Sequence, residues 1–499
     1  AHASACSGEL KLAGSGPWAK AHGGTLKRAP QRVFLTCWLV YTVFWTPWIV
    51  REHFPAITLS ELGSLNVERY FGWTEDIFQG PQGGAYINNN PGASLAGAIP
   101  LILLRPVLDR IERWNERRPP AALSRGADPI LIRAGAVRRE FYLMAVAFLT
   151  VALVMAPATA GTMAYLSSRL RQAGVAGASA ALIAVLCGLS TPLLYRTAYL
   201  NHNLLVADAG FLALLLLWDP SRQPLSRARA AVAGLLAGYA LLCDYSGVVV
   251  VVTVGAYVLA RTVRDDKQKL KAANLFAFGL GVAPMIAALL AYQLWAFGSF
   301  RPSQQFMTPT APTSSGYRGF DWPSARLLWA NFFDPRFGLF AYCPALLLAF
   351  AAPFIKRGRF RLPLLETWIV FGYFGAFVLF CAANRYSWLQ PSTGFRYLIP
   401  VVPGLALLAA QACQSFPSAL KWCIAAAAAI QTFIMAAAHE NNLAFSATSL
   451  LARRFELPWM IRFREIGVEA WWATPAAAFG LLAAGIALIW LPSQRGIAR

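Results

Sequence analysis

The sequence predicts an all-α polytopic membrane protein with about twelve transmembrane helices, and three observations carry that prediction. Of its 499 residues, 57% are hydrophobic and 13% charged, against about 25% charged in soluble domains; the mean hydropathy is +0.48. Apolar runs recur along the whole chain at lengths near the roughly 20 residues that a bilayer-crossing helix needs. The 44 Lys and Arg outnumber 23 Asp and Glu and flank those runs, as topology-setting loops do. The net charge of +21 therefore reads as membrane topology. No nucleic-acid-binding motif accompanies it, so a nucleic-acid partner is not expected.

Taken in order, residues 1–32 form a basic tail expected in the cytoplasm. The first run, 33–50, lacks a small-residue cleavage site and is expected to remain as an anchor. Further spans are predicted at 141–166, 175–195, 201–218, 272–297, 338–354, 364–383, 395–411, 421–437 and 473–491. The run 230–260 is too long for one span. It reads as two, 230–243 and 247–260, turning at CysAspTyrSerGly. Basic loops at Arg169 and Arg171, at 222–229, at 261–271 and at 356–361 place one face in the cytoplasm. The eight arginines of 109–139 resist this alternation. The prolines Pro91, Pro100 and Pro106 favour a membrane-edge helix over 91–108, because proline interrupts the helical ladder. The eight cysteines show no metal-binding spacing and mostly lie in apolar runs, as small buried hydrophobes do.

Polar residues collect on the opposite face. The first outer loop, 51–140, holds Glu61, Glu68, Glu75 and Asp76. Carboxylates at a bilayer mouth are costly to keep and mark functional positions. One held there can serve as general base or bind a divalent metal. Glu61 and Glu68, seven apart, share one side if the stretch is helical. The turn TyrIleAsnAsnAsnProGlyAlaSer puts Asn90 ahead of a helix start that Asn89 is placed to cap. His202, flanked by Asn201 and Asn203, opens a span; Asp208 lies inside that span, where it needs an interior partner. Asp244 sits on a turn that water can reach. Arg336, Arg385 and Arg396, the last beside Tyr397, stand just outside apolar runs. There a guanidinium either snorkels to headgroups or holds a phosphate. The segment 438–472, with Trp459, Trp471 and Trp472, is expected to be amphipathic and interfacial.

These pieces, from about 33 to 410, resemble the polytopic GT-C glycosyltransferases, which use polyprenyl-phosphate-linked sugars. The acid-bearing first loop followed by AsnProGlyAlaSer, LeuAsnHisAsn at 200–203, CysAspTyrSerGly, AspProArgPheGlyLeuPhe and GlyPheArgTyrLeuIlePro are similar to family elements in order and context. The resemblance implies a GT-C-like catalytic module over 33–437 with juxtamembrane helices, an outer segment 438–472, and a last span and tail at 473–499. It implies an integral plasma-membrane (inner-membrane) enzyme that inverts a sugar centre on its periplasmic or extracellular face. The donor is a polyprenyl-phosphate sugar, the acceptor a hydroxyl of a glycan, lipid or protein, and membrane lipid surrounds both. Asp76 is the expected base, with Glu61 and then Glu75 next. His202, Asn203, Asn90, Asp244, Arg336, Arg385, Arg396 and Tyr397 are the expected substrate-binding residues. Some members bind a divalent metal and others none, and the residue pattern leaves that open. The chain departs from the family in having no acid pair directly after the first span; its nearest adjacent acids are Glu75 and Asp76. Two other readings stand beside this one. A twelve-span transporter would show two related halves, and the loop 51–92 has no counterpart later in the chain. A lipid-linked glycan ligase or polymerase would keep the outward arginines without needing the acids.

Overall fold

The computed structural model describes residues 28–117, 129–221, 223–264, 271–307, 314, 316–355, 360–388, 395–439, 443–468 and 470–491. The N-terminal tail before residue 28, the middle of the Arg-rich segment (118–128), the end of the turn at 389–394 and Glu440 to Asn442 lie outside them. Among the described residues the chain is helical, with a two-stranded antiparallel hairpin, Ile77–Gln79 with Ala85–Ile87, in the first loop.

Each of the twelve predicted runs carries helix. Among the described residues, five helices are long and apolar enough to cross a membrane: Glu140–Gln172, Gly247–Arg264, Ala272–Phe297, Leu364–Ala383 and Ser418–Ala438. A sixth joins them if a bent pair is counted as one span. Five others are apolar but only 10–17 residues long: Gly177–Leu189, His202–Leu217, Pro344–Phe354, Ile399–Cys413 and Pro475–Trp490. Proline explains part of the shortening. Pro192 follows Gly177–Leu189, and Pro47 follows Ala29–Val43; the residue before a proline is pushed towards extended geometry. The first helix therefore ends well before Val50, and Phe44 to Val50 continue without helix.

The stretch expected as a single edge helix over 91–108 is two helices, Gly92–Leu103 and Arg105–Glu116, bent by 79°. Leu104 leaves helical geometry ahead of Pro106, which supplies no amide for the ladder. The run 230–260 divides as expected into Arg227–Cys243 and Gly247–Arg264. A Cβ on Gly247 would lie 2.3 Å from the Ala240 carbonyl carbon, so only glycine lets the chain double back there. Helix Arg227–Cys243 also packs closely on Lys271–Phe297. Added carbons at Gly234 and Gly281 would lie 2.1 and 2.0 Å from the partner helices' carbonyl oxygens, the small-residue contact by which helices approach in lipid.

Glu140–Gln172 contains a π-helical turn at Val151–Met155. Such a turn breaks the regular ladder, and Trp38 Nε1 donates to the Ala152 carbonyl at 2.8 Å, fastening the first helix to it. At the other end of the bundle, arginines close the C-terminus of His202–Leu217. Arg169 and Arg229 donate to the Leu216 carbonyl and Arg261 to that of Leu217. These carbonyls have no helical partner, and positive charge suits that end of the dipole.

Candidate active site

Backbone ties bring four separated segments to one end of the bundle. The Thr46 amide and hydroxyl both donate to the Ala198 carbonyl, at 2.8 and 3.1 Å. This seats Arg51 and Glu52 beside the start of His202–Leu217, where Asn201 caps the helix by accepting from the Leu204 amide. Gly92 lies against the last turn of Arg227–Cys243; a Cβ there would be 2.7 Å from the Cys243 nitrogen. That approach sets Asn88, Asn89 and Asn90 next to Asp244. Asn90 Nδ2 donates to the Leu241 carbonyl at 2.8 Å, satisfying a helix end. Asn89 does not cap Gly92–Leu103, which has no side-chain cap; its amide goes to Glu52 instead.

Glu52 is the buried centre of this arrangement, its side chain 3% exposed. A single oxygen, Oε1, accepts from Arg51 Nε at 3.1 Å, Asn89 Nδ2 at 3.0 Å and His202 Nδ1 at 2.7 Å. Burial acts to raise the Glu52 pKa. The Arg51 and His202 charges and the hydrogen bonds more than offset it, holding the carboxyl well below the usual range. From Glu52 two chains of contacts run outward. Arg51 Nη1 reaches Asp76 Oδ1 at 3.0 Å, where Asn88 Nδ2 also donates at 2.7 Å. His202 Nε2 faces Asn203 Nδ2 at 3.0 Å and Asp244 Oδ2 at 3.6 Å. Ser246 N donates to Asp244 Oδ1 at 2.8 Å, fixing the carboxylate on its turn.

These outer groups line a cavity of about 460 Å³. Its charged walls are Asp76 and Asp244 with Arg51, Arg318 and Arg396; its aromatic walls include Tyr245, Tyr317, Phe320, Tyr386 and Tyr397. The Asp76 side chain is 41% exposed and that of Asp244 17%, so both carboxylates are within reach of a ligand. Burial acts to raise the Asp76 pKa, but Arg51 and the Asn88 hydrogen bond bring it below its ordinary value. Arg396 donates to Tyr397 Oη at 2.7 Å, with its guanidinium carbon 4.6 Å from the ring centre. Arg318 is steadied by the Gln305 and Met307 carbonyls.

The structure thus brings Asp76, His202, Asp244, Arg396 and Tyr397 around one cavity, with Asn203 buried behind His202. Other expected site residues lie apart. Glu61 and Glu68 do not share a helix, because His53–Leu62 ends at Gly63 and Glu68 opens a separate short turn. Glu61 is enclosed by Arg69, Arg105, Arg139 and Tyr142. Glu75 is exposed and outside the cavity lining. Arg336 pairs with Asp334, and Arg385 with Asp321; neither lines the cavity. Asp208 has its interior partner, Thr159 Oγ1, at 2.8 Å.

Reading the sequence by motif passed over Arg51, Glu52, Asn88 and Arg318. The signal for the first two was present: an adjacent Arg and Glu directly after the first apolar run. Among the described residues, no group of three or more His, Cys, Asp and Glu side chains is arranged to hold a metal. His202 Nδ1 is committed to Glu52, and Asp76 faces a guanidinium. Among the described residues, the cavity wall offers only the two carboxylates of Asp76 and Asp244, fewer oxygens than a resident divalent ion needs.

No protein-family model and no curated protein matches the sequence. Among solved structures, the chain is similar to ArnT from Cupriavidus metallidurans bound to undecaprenyl phosphate, at 14% identity and a TM-score of 0.47. That match covers 95% of this chain and 77% of the other. The apo form of the same protein matches at 16% identity and a TM-score of 0.43, with the same coverage. An oligosaccharyltransferase from Archaeoglobus fulgidus, tethered to an acceptor peptide, matches at 13% identity and a TM-score of 0.43, over 89% of this chain and 59% of that one. At these scores the likeness is one of outline, and no residue role is carried across from it.

Proposed function

We propose that this chain is an integral membrane glycosyltransferase that moves a sugar from a polyprenyl-phosphate donor to an acceptor hydroxyl. The observation that carries the reading is the cavity itself. Two reachable carboxylates and three arginines meet aromatic walls at one end of an apolar helical bundle. Carboxylates suit sugar hydroxyls and a departing acceptor proton, guanidinia suit phosphate oxygens, and aromatic faces suit the apolar side of a pyranose. The resemblance noted in the sequence points the same way.

In this mechanism the acceptor oxygen attacks the anomeric carbon from the side opposite the phosphate. The bond from that carbon to the phosphate oxygen breaks as the new glycosidic bond forms, inverting the centre. Asp76 takes the acceptor proton and later releases it to solvent. Its lowered pKa keeps it ionised at neutral pH, and Arg51 and Asn88 hold it in place. Arg396 and Arg318 hold the leaving phosphate as its charge grows, the electrostatic part of the catalysis. Asp244 and His202 border the same space and bind sugar or acceptor hydroxyls. The bundle end closed by Arg169, Arg229 and Arg261 faces the cytoplasm, which opens the cavity to the periplasmic or extracellular side of the plasma membrane.

The test uses membranes containing matched amounts of wild-type or Asp76→Ala protein and a panel of radiolabelled polyprenyl-phosphate hexoses and pentoses. Transfer into membrane acceptors by the wild type, lost in the variant, supports the reading. No transfer from any donor overturns it in favour of a transporter.

A further inference from the structure

We propose that Glu52 is a positioning residue that sets both arms of the site through one carboxylate oxygen, aiming Arg51 at Asp76 and His202 at Asp244. The kinetic part of this inference rests on the glycosyl-transfer reading above; the geometric part does not.

Three donors from three segments converge on Oε1 of this buried carboxylate: Arg51 Nε, Asn89 Nδ2 and His202 Nδ1. Arg51 uses different nitrogens on its two partners, Nε on Glu52 and Nη1 on Asp76. A guanidinium is planar and rigid, so fixing Nε fixes the direction in which Nη1 presents itself. The position of the reacting carboxylate is thereby tied to a buried residue that does not line the cavity. A salt bridge serving stability alone would need no such second partner.

The other arm follows from the imidazole. With Nδ1–H given to Glu52, the opposite nitrogen, Nε2, turns to Asn203 Nδ2 and to Asp244 Oδ2. In the neutral ring Nε2 accepts from the Asn203 amide, and this leaves Asn203 Oδ1 buried without a hydrogen-bond partner. The bond to Glu52 thus fixes which nitrogen of His202 faces Asp244. The charged groups around the ring are Glu52 and Asp244 in contact, Arg51 behind Glu52, and Asp76 and Arg396 on the shared cavity wall.

The experiment compares wild type with Glu52→Gln, which keeps the shape and removes the charge, in lipid nanodiscs with ¹⁵N-labelled histidine. The chain has five histidines, and His202→Gln assigns the signal. The His202 Nδ1–H proton resonance is expected to move upfield when its charged acceptor becomes a neutral amide. Transfer should show kcat down about 100-fold with the donor KM within about threefold, as expected when only transition-state interactions are lost.

The acid limb of the kcat profile carries the sharpest distinction. The Glu52 charge itself raises the Asp76 pKa, whereas Arg51 lowers it. Removing the charge with Arg51 still in place moves the limb to lower pH. Releasing Arg51 from Asp76 moves it to higher pH, and that is the result expected. An unchanged His202 Nδ1–H resonance, or a limb shifted downward, overturns the proposal.

Should Glu52→Gln fail to fold, Arg51→Lys keeps the cation but offers a single nitrogen, without the rigid Nε-to-Nη1 geometry that points from Glu52 to Asp76. It should raise the acid limb while leaving the His202 Nδ1–H resonance in place, since Glu52 remains; an unmoved limb overturns the Arg51 arm. Absence of any wild-type transfer counts against the glycosyltransferase reading, while the His202 Nδ1–H resonance still decides the geometry.

Discussion

The first outer loop holds two carboxylate clusters built from the same parts, and they differ in what their acids are left free to do. Around Glu61 the cluster is closed. Arg69 and Arg139 pair with it, Tyr142 donates at 2.6 Å, Arg105 lies at 3.2 Å, and its side chain is 4% exposed. Around Glu52 the cluster is open at its edge. Glu52 is as buried as Glu61, yet its partners Arg51 and His202 pass the contacts on to Asp76 and Asp244 at the cavity wall. An acid whose oxygens are saturated by cations can hold the fold together. One that shares its cations with an exposed neighbour can prepare that neighbour for chemistry.

The largest effect that separates the two clusters is on turnover. Asp76→Asn should lower transfer about 10²–10⁴-fold, the range for losing a general base, while the thermal unfolding temperature in detergent falls only slightly, because the Asp76 side of its pair with Arg51 is 41% exposed. Glu61→Gln should do the reverse. It takes from buried Arg139 its buried counter-charge, leaving the more exposed Glu112, and breaking a buried pair costs up to about 3–5 kcal/mol. Unfolding should come markedly earlier, with activity per folded molecule within about threefold of wild type. A Glu61→Gln protein that is stable and inactive would collapse the distinction between the clusters.

Acid titration sharpens the same contrast. The Glu61 pKa is lowered in the folded state: burial acts to raise it, and the Tyr142 hydrogen bond and the Arg139 charge outweigh that. A carboxyl whose folded pKa lies below its unfolded one stabilises the protein above the unfolded value. That stability is lost as pH falls through the folded value. Wild-type unfolding temperature should therefore drop as pH falls below about 4.3, the ordinary glutamate value, and the Glu61→Gln curve should be flatter there.

The smallest effect is expected at the exposed pair. Arg336 pairs with Asp334, and its side chain is 66% exposed; such surface pairs contribute about 0–1 kcal/mol. Arg336→Ala should change the unfolding equilibrium constant and the donor KM by less than about fivefold. A tenfold rise in donor KM would restore Arg336 to the phosphate site.

Much of the architecture was legible because hydropathy and proline act locally. The turn at Asp244 follows from a run too long for one span, and Gly247 is where a Cβ cannot fit. His202 at a helix start follows from AsnHisAsn, whose first residue caps the helix. Span lengths were less legible, because Pro47 and Pro192 end helices inside stretches that stay apolar. Of the candidate site residues, the sequence marked Asp76, His202, Asp244 and Arg396 by type and by the face they share. Glu61 carries the same signal as Asp76, a carboxylate at a bilayer mouth. Nothing in local sequence tells that Arg139, 78 residues further on, reaches back to close it.

By itself, then, the sequence determined that the chain is helical and membrane-spanning and which end of the bundle is polar. Burial of apolar runs in lipid and the placement of arginines are properties of composition along the chain. Only the tertiary structure decided which acids face a cavity. That depends on contacts between residues far apart in the chain: Thr46 with Ala198, Gly92 with Cys243, and Glu52 with His202. A carboxylate's role is set by how many of its oxygens those distant partners leave uncommitted.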